Sequence, residues 1–166
     1  MKLILSCACV SILALSCCAF SRAAQASDQL IDTTLCELYQ HPDQYAGKMI
    51  RVRGTIAGND MWIDAFMEKP CPSWMSIVVV FPNQVKPAPD FDLVKDDSFT
   101  KFEDAMYHSR PIHIEATFEG RFESVVTMQD GKRIVVGKRY GKKHDHDGRI
   151  VLRRVSDVVA RPLGRK

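Results

Sequence analysis

Apolar residues recur at every second position in several short segments of this sequence, and this spacing constrains the fold more than any other feature. In the segment 48–56, Ile50, Val52 and Ile56 alternate with polar residues, and the segment 112–119 shows the same pattern. Because the side chains of a β-strand point alternately to opposite faces, a two-residue period predicts strands with one buried face. Four segments are expected to share one interior, those around Val52, Val79, Ile114 and Val151.

Further strands are indicated by short apolar runs that lie between turn residues. Residues 61–66 form one run and residues 75–81 another, in which the β-branched stretch 77–80 is typical of a strand covered on both faces. The proline-containing segment 82–97 is expected to be an irregular, exposed loop. Residues 150–155 are expected to form the last strand.

A hairpin is predicted before this last strand. Val125–Gln129 and Lys132–Val136 flank the pair Asp130-Gly131. Asp-Gly favours a type I′ turn, which joins two antiparallel strands tightly. The strand that begins at Ile112 is expected to stop or kink at Gly120, because glycine weakens the interior of a strand.

Two short helices are expected as well. Thr34 and Glu37 match the Thr-x-x-Glu capping box, which predicts a helix from about Thr34 to His41, ended by Pro42. Its buried stripe is expected to contain Ile31, Leu35, Leu38 and Tyr39. A second helix is expected from Ser98 to His108. Its apolar residues at helical spacing are Phe99, Phe102, Met106 and Tyr107.

The N-terminal residues 1–26 are typical of a cleaved signal peptide. Lys2 precedes an apolar stretch from Leu3 to Phe20, and Ala24-Gln25-Ala26 matches a signal peptidase site, so cleavage is expected before Ser27. A retained membrane anchor is one alternative. Another is a lipid anchor on Cys17 or Cys18. We expect a periplasmic or secreted single domain, residues 27–166, with a basic C-terminal tail.

Export removes four of the six cysteines with the signal peptide and leaves Cys36 and Cys71. Disulfides persist in oxidising compartments, so these two residues are expected to form one, which would stabilise the fold by roughly 3–4 kcal/mol. Two separate buried thiols are the alternative. Thiol titration of the unfolded, non-reduced protein distinguishes them: no free thiol is expected, and two would contradict the disulfide.

One stretch of the chain carries a resemblance to a known fold family. Tyr45-Ala46-Gly47-Lys48-Met49-Ile50-Arg51-Val52-Arg53-Gly54 resembles the opening strand of OB domains. Glu119-Gly120-Arg121-Phe122 is similar to the end of the fourth strand in small exported bacterial OB proteins, sometimes grouped as tRNA-anticodon-binding-like. The resemblance implies a mainly β fold with one or two short helices: a five-stranded Greek-key barrel, here with a hairpin inserted before the last strand.

The same resemblance implies a ligand-binding face across strands two and three, with the hairpin 125–136 as a flap. This face would carry Met61, Trp62, Asp64, Phe66 and Trp74. Trp62 would stack on a base or sugar ring, and Arg51 or Arg53 on the neighbouring strand would meet an anionic group. The alternative is that the aromatic residues belong to the core and that the arginines face solvent.

A second candidate site lies between the hairpin and the last strand. His144 and His146 alternate with Asp145 and Asp147, and imidazole and carboxylate groups can share a divalent metal ion. Two histidines supply only two nitrogen ligands, so the others would come from His108, His113 or elsewhere. A polar surface loop is the alternative, and no cofactor is predicted.

Charge is distributed unevenly along the chain. Residues 27–130 hold 9 Lys and Arg against 17 Asp and Glu, whereas residues 131–166 hold 12 against 3. The basic part would attract anionic lipids, cell-wall polymers or an acidic partner, or else would pair with acidic neighbours within the fold.

The sequence contains no Gly-x-Ser-x-Gly nucleophile elbow and no carboxylate set typical of OB nucleases. Export also disfavours nucleic acid as a partner. We therefore expect a non-catalytic cell-envelope module that binds a small ligand, a glycan or a protein partner. A metal-binding or metal-dependent protein that uses the histidine loop is the alternative.

Overall fold

The computed structural model describes residues 29–57, 62–64, 76–108, 112–141, 143 and 145–162. The strands are β1 Ile31–Thr33, β2 Met49–Ala57, β3 Trp62–Asp64, β4 Ser76–Val80, β5 Ile112–Ser124, β6 Val126–Gln129, β7 Lys132–Val135 and β8 Gly148–Pro162. The α-helices are α1 Leu35–Gln40, α2 Pro42–Tyr45 and α3 Asp97–His108. None of the described helices is long and apolar enough to cross a bilayer.

Six of the strands form one mixed sheet, which confirms the prediction of a mainly β protein. Its order is β1-β2-β3-β4-β8-β5, and β2 also pairs with β5. β1 runs parallel to β2, and β4 runs parallel to β8, whereas the other neighbours are antiparallel. β6 and β7 form a separate two-stranded sheet, the predicted hairpin. Asp130 and Gly131 both have positive φ, 50° and 72°, as a type I′ turn requires.

The alternating segments meet in one core, with one exception. Val52, Val79 and Ile114 are at most 1% exposed and belong to the same buried cluster. On β8 the cluster contains Ile150 and Leu152 instead of Val151, which is buried on the other face of the strand. The prediction for Val151 was wrong because three apolar residues in succession carry no alternation from which a face can be read.

β4 is not buried on both faces, although this was expected. Ile77 and Val79 are buried, but Val78 and Val80 are only half-buried, so the second face of this strand is partly covered. The segment after it is mostly irregular and exposed, as expected. It also contains a short 3₁₀ helix, Pro82–Gln84, and the buried Val85.

The helix predicted from Thr34 to His41 is confirmed as α1. A short helix that was not predicted, α2, follows it from Pro42, so the described residues contain three α-helices instead of one or two. Thr34 caps α1 as expected, because its Oγ1 accepts a hydrogen bond from Glu37 N at 3.1 Å. Pro42 ends α1 and at the same time begins α2, since a proline without an N–H fits the first turn of a helix. Ile31 lies in β1, not on the helix stripe.

α3 packs on the core through Phe99, Phe102 and Met106, as the spacing predicted. Tyr107 was assigned wrongly to this face, since it is 61% exposed. Each residue turns a helix by about 100°, which carries Tyr107 past the edge of the buried stripe.

β5 does not stop at Gly120 but continues to Ser124, with a register shift against β8 between Glu119 and Gly120. A Cβ atom at Gly120 would lie against the carbonyl oxygen of Val151 and 2.9 Å from Ile150 Cγ2. Glycine is therefore needed here for the close approach of two backbones, and the register shift leaves one extra residue on β8, as in a β-bulge.

Gly120→Ala is expected to destabilise the protein by about 1–3 kcal/mol, because the new methyl group meets a backbone oxygen that cannot move aside cheaply. Urea unfolding measures this change. Gly137→Ala is the matched control, since its Cβ would lie at an ordinary 3.4 Å from Val125 Cγ1. Equal stability of the two variants would contradict the close approach.

Candidate functional site

The two arginines predicted to meet an anionic ligand are both engaged in ion pairs on the outer surface of the sheet. Arg51 Nε lies 2.8 Å from Glu119 Oε1, and its Nη1 lies 3.2 Å from Asp32 Oδ1. The hydrogen bond and the charge of Glu119 raise the pKa of the Arg51 guanidinium. Arg53 lies 3.6 Å from Glu115. Neighbouring carboxylates thus balance both charges within the sheet.

Only part of the predicted ligand face lies within the described residues. Trp62 and Asp64 lie on β3, where their Cα atoms pair with those of Val78 and Ser76 on β4. Trp74, Met61 and Phe66 lie outside the described residues, as does Cys71. Cys36 is half-buried on α1. The aromatic face and the disulfide therefore stay predictions.

The histidine loop is closed by its own backbone. Tyr140 N donates to His146 O at 2.8 Å, and His146 N donates to Tyr140 O at 3.3 Å. The His146 side chain is 6% exposed, and its Nε2 lies 3.2 Å from Asp145 Oδ1. Gly141 has φ +82°, and a Cβ there would overlap the imidazole ring. His146 thus fills the space inside a tight loop.

Asp147 serves as a counter-ion in this loop. Its Oδ1 lies 2.7 Å from Arg139 Nε, and its Oδ2 lies 3.4 Å from Arg133 Nη2. His144 lies outside the described residues, and no three potential metal ligands meet within the described part of the chain. One of the two predicted histidines is therefore placed, buried inside the loop, and the metal site stays a prediction.

The hairpin lies against the two short helices. Met128 N donates to Asp43 Oδ2 at 2.7 Å. Arg133 stacks on the Tyr39 ring with its Cζ 3.8 Å from the centroid and also donates to the Tyr39 carbonyl. These contacts attach the hairpin to α1 and α2.

A cleft of about 810 Å³ opens beside β1, and no pattern in the sequence predicted it. We call it the β1 cleft. It is lined by Gln29, Ile31, Gly47, Lys48, Met49, Asp90, Phe91, Asp92, Val94, Arg121 and Arg153. One wall comes from β1 and the start of β2, another from the segment after β4, and the third from β5 and β8. No sequence motif spans these distant pieces, so only the fold brings them together.

The cations of the β1 cleft differ in whether a neighbouring carboxylate forms an ion pair with them. Arg121 lies over the Phe91 ring, 5.7 Å from its centroid, and pairs with Glu123 at 3.1 Å and Asp90 at 3.8 Å. Lys48 and Arg153 are exposed and form no ion pair with any described residue. Their charges are therefore available to a ligand.

A second cleft of about 610 Å³ adjoins the first, and we call it the proline cleft. Phe91 and Asp92 line both clefts. The remaining residues of the proline cleft are Phe81, Pro82, Asn83, Ala88, Pro89, Leu93, Lys95, Phe99 and Glu103. It is thus more apolar than the β1 cleft, and Phe91 and Asp92 separate the two.

The wall shared by the two clefts is anchored to β8. Val94 N donates to Arg153 O at 2.7 Å, and Asp96 Oδ2 lies 3.1 Å from Arg154 Nη2. Asp96 also caps α3, since its Oδ1 accepts from Phe99 N at 3.0 Å. The segment 90–96 is therefore fixed at its C-terminal end.

Comparison with protein-family models, characterised proteins and solved structures gives no match to this chain. The clefts and the histidine loop must therefore be interpreted from their own chemistry.

Asp96→Asn is expected to reduce stability at neutral pH but not in acid. The hydrogen bond from Phe99 N and the ion pair with Arg154 lower the pKa of Asp96, so its charge stabilises the folded protein above the ordinary Asp pKa of about 3.9. This contribution is lost as the pH falls through the lowered pKa. Asparagine preserves the cap.

Urea unfolding from neutral to acidic pH measures this prediction, with Glu103→Gln as the control. The wild type is expected to be the more stable at neutral pH and to converge with Asp96→Asn in acid. If the free energies of unfolding of the wild type and Asp96→Asn differ by the same amount at every pH, the charge of Asp96 does not stabilise the fold and the prediction is wrong.

Proposed function

We propose that this protein is a non-catalytic module of the cell envelope that binds an acidic glycan along the β1 cleft and the proline cleft. The observation that carries the proposal is the pair of adjoining clefts that share Phe91 and Asp92, with two unpaired cations, Lys48 and Arg153, on different walls of the β1 cleft.

The dimensions of the clefts support a ligand with repeated units. Volumes of about 810 and 610 Å³ each lie within the range of roughly 300–1,000 Å³ that is common for small-molecule sites. Because the clefts adjoin, a short chain of sugar rings would occupy both. A compact ligand would fill only one of them.

The chemistry of the lining supports a sugar with acidic groups. Lys48 and Arg153 would donate to a carboxylate or phosphate, and the carboxylates of Asp90 and Asp92 would accept from hydroxyl groups. In the proline cleft, apolar side chains would contact the C–H face of a ring. Neither cleft is lined by serine, cysteine or histidine among the described residues, which favours binding over nucleophilic catalysis.

We also propose that the sheet is a five-stranded barrel of the OB type. Consecutive pairings from β2 through β3, β4, β8 and β5 lead back to β2, and the parallel pair is formed by β4 and β8. The hairpin β6–β7 lies between β5 and β8 along the chain, at the position of the predicted insertion. Glycan binding in the two clefts would differ from ligand binding across β3 and β4, where the resemblance places the ligand.

The cell-envelope location rests on the signal-like residues 1–26. N-terminal sequencing of the exported protein is expected to begin at Ser27. A mature protein that keeps its first residues would contradict cleavage.

Binding of an acidic oligosaccharide, such as an oligogalacturonate hexamer, is expected to be measurable by titration calorimetry, whereas neutral maltohexaose binds much more weakly. Arg153→Gln is expected to lower the affinity for the acidic ligand tenfold or more, because a charge-assisted hydrogen bond contributes about 1.5–3 kcal/mol. Lys48→Gln is expected to have a similar effect.

Arg161→Gln is the matched control, because this exposed arginine lies outside both clefts. Equal affinity for acidic and neutral hexamers, or an equal loss in the control, would contradict the proposal. Metal analysis tests the alternative function: a stoichiometric ion that is lost when His144 and His146 are both replaced by alanine would favour a metal-dependent protein.

A further inference from the structure

The hairpin strand β7 and the residue after it expose an unusual concentration of aliphatic side chains. Ile134 is 38% exposed, Val135 45% and Val136 66%. The described residues contain six large apolar side chains with such exposure, and three of them are these consecutive residues. An apolar patch that a fold leaves in water often marks an interaction surface.

The hairpin has one face that lies against the helices and one that points away from them. Arg133 stacks on Tyr39, and Val135 pairs across the hairpin with the buried Val126. Because side chains alternate along a strand, Lys132 and Ile134 lie on the opposite face, which Val136 continues. We call these three residues the outer face of the hairpin.

Lysines occur within this outer face and after it along the chain. Lys132 belongs to the outer face, and Lys138 and Lys143 follow Val136. All three lysines are exposed and form no ion pair with any described residue. The arginines nearby differ, because Arg133 and Arg139 both lie within ion-pair distance of Asp147. The lysine charges are thus left for an external partner.

We propose that the outer face of the hairpin and its three lysines dock on a bilayer surface that contains anionic lipids. Aliphatic side chains interleaved with cations suit the interface of such a membrane, where the apolar groups enter the headgroup region and the lysines meet phosphates. A standard protein interface takes about 20–30 residues from each side, many more than this patch offers. The proposal is independent of glycan binding, since the lysines lie outside both clefts.

Co-sedimentation with vesicles tests the proposal. The exported protein is expected to bind vesicles of phosphatidylcholine and phosphatidylglycerol at low salt, to bind them less at high salt, and to bind pure phosphatidylcholine weakly. Each lysine near an anionic surface contributes about a fivefold factor. The variant Lys132→Gln/Lys138→Gln/Lys143→Gln is therefore expected to bind about a hundredfold more weakly.

A matched variant removes three positive charges elsewhere: Lys86→Gln/Lys101→Gln/Arg161→Gln. It is expected to keep most of the binding. Ile134→Ser/Val136→Ser is expected to weaken binding without removing its salt dependence, because the charges remain. The wild type and all variants begin at the same residue, so that differences in binding come from the substitutions alone. Thermal unfolding checks that each of them is folded.

Several outcomes would overturn the proposal. Unchanged binding of the hairpin lysine variant would do so, as would an equal loss in the matched variant, or equal binding to neutral vesicles. If the protein ignores anionic vesicles but binds polyglutamate, the patch recognises an acidic polypeptide instead of a membrane.

Discussion

The fold depends on β5, which pairs with β2 on one side and with β8 on the other. Its pairing with β2 extends over all nine residues of that strand, and its pairing with β8 extends from Ile112 to Ser124. At Gly120 the backbone of β8 comes so close that no side chain fits between the strands. Every other element either continues from these three strands or packs on the core that they enclose.

Ion pairs within the fold join the acidic part of the sequence to its basic part. Basic residues of β8 lie beside acidic residues of earlier elements: Arg149 beside Glu123, Arg154 beside Asp96 and Arg161 beside Glu115. Antiparallel pairing of β8 with β5 accounts for two of these contacts, because it sets opposite charges on neighbouring strands. The described cations left over from this pairing lie in the β1 cleft, at and after the hairpin, and at Lys86, Lys95 and Lys101.

Local patterns in the sequence predicted which helices, strands and turns form better than they predicted where these end. The N-cap at Thr34, the Asp130-Gly131 turn and the alternation around Val52 each depend on neighbours within a few residues, and all three were confirmed. The face of Val151 and the continuation of β5 past Gly120 were not predictable, because both are determined by contacts between strands far apart in sequence.

The candidate sites show the same division. Arg51 and Arg53 were placed on a strand correctly, but their acidic partners come from β1 and β5, which the strand's own sequence does not reveal. The β1 cleft combines residues from five parts of the chain, among them Lys48, Phe91 and Arg153, so no spacing rule would have found it. Sequence patterns therefore located secondary structure, whereas the site emerged only from the three-dimensional arrangement.

The hydrogen bond from Met128 N to Asp43 has a geometric consequence beyond the hairpin. Asp43 lies on α2, and α2 leads within a few residues to Lys48 in the wall of the β1 cleft. A surface that held the hairpin would therefore also set the direction in which the cleft opens. Attachment of the hairpin to a surface and the orientation of the β1 cleft would thus be linked through α2, without any movement of the sheet.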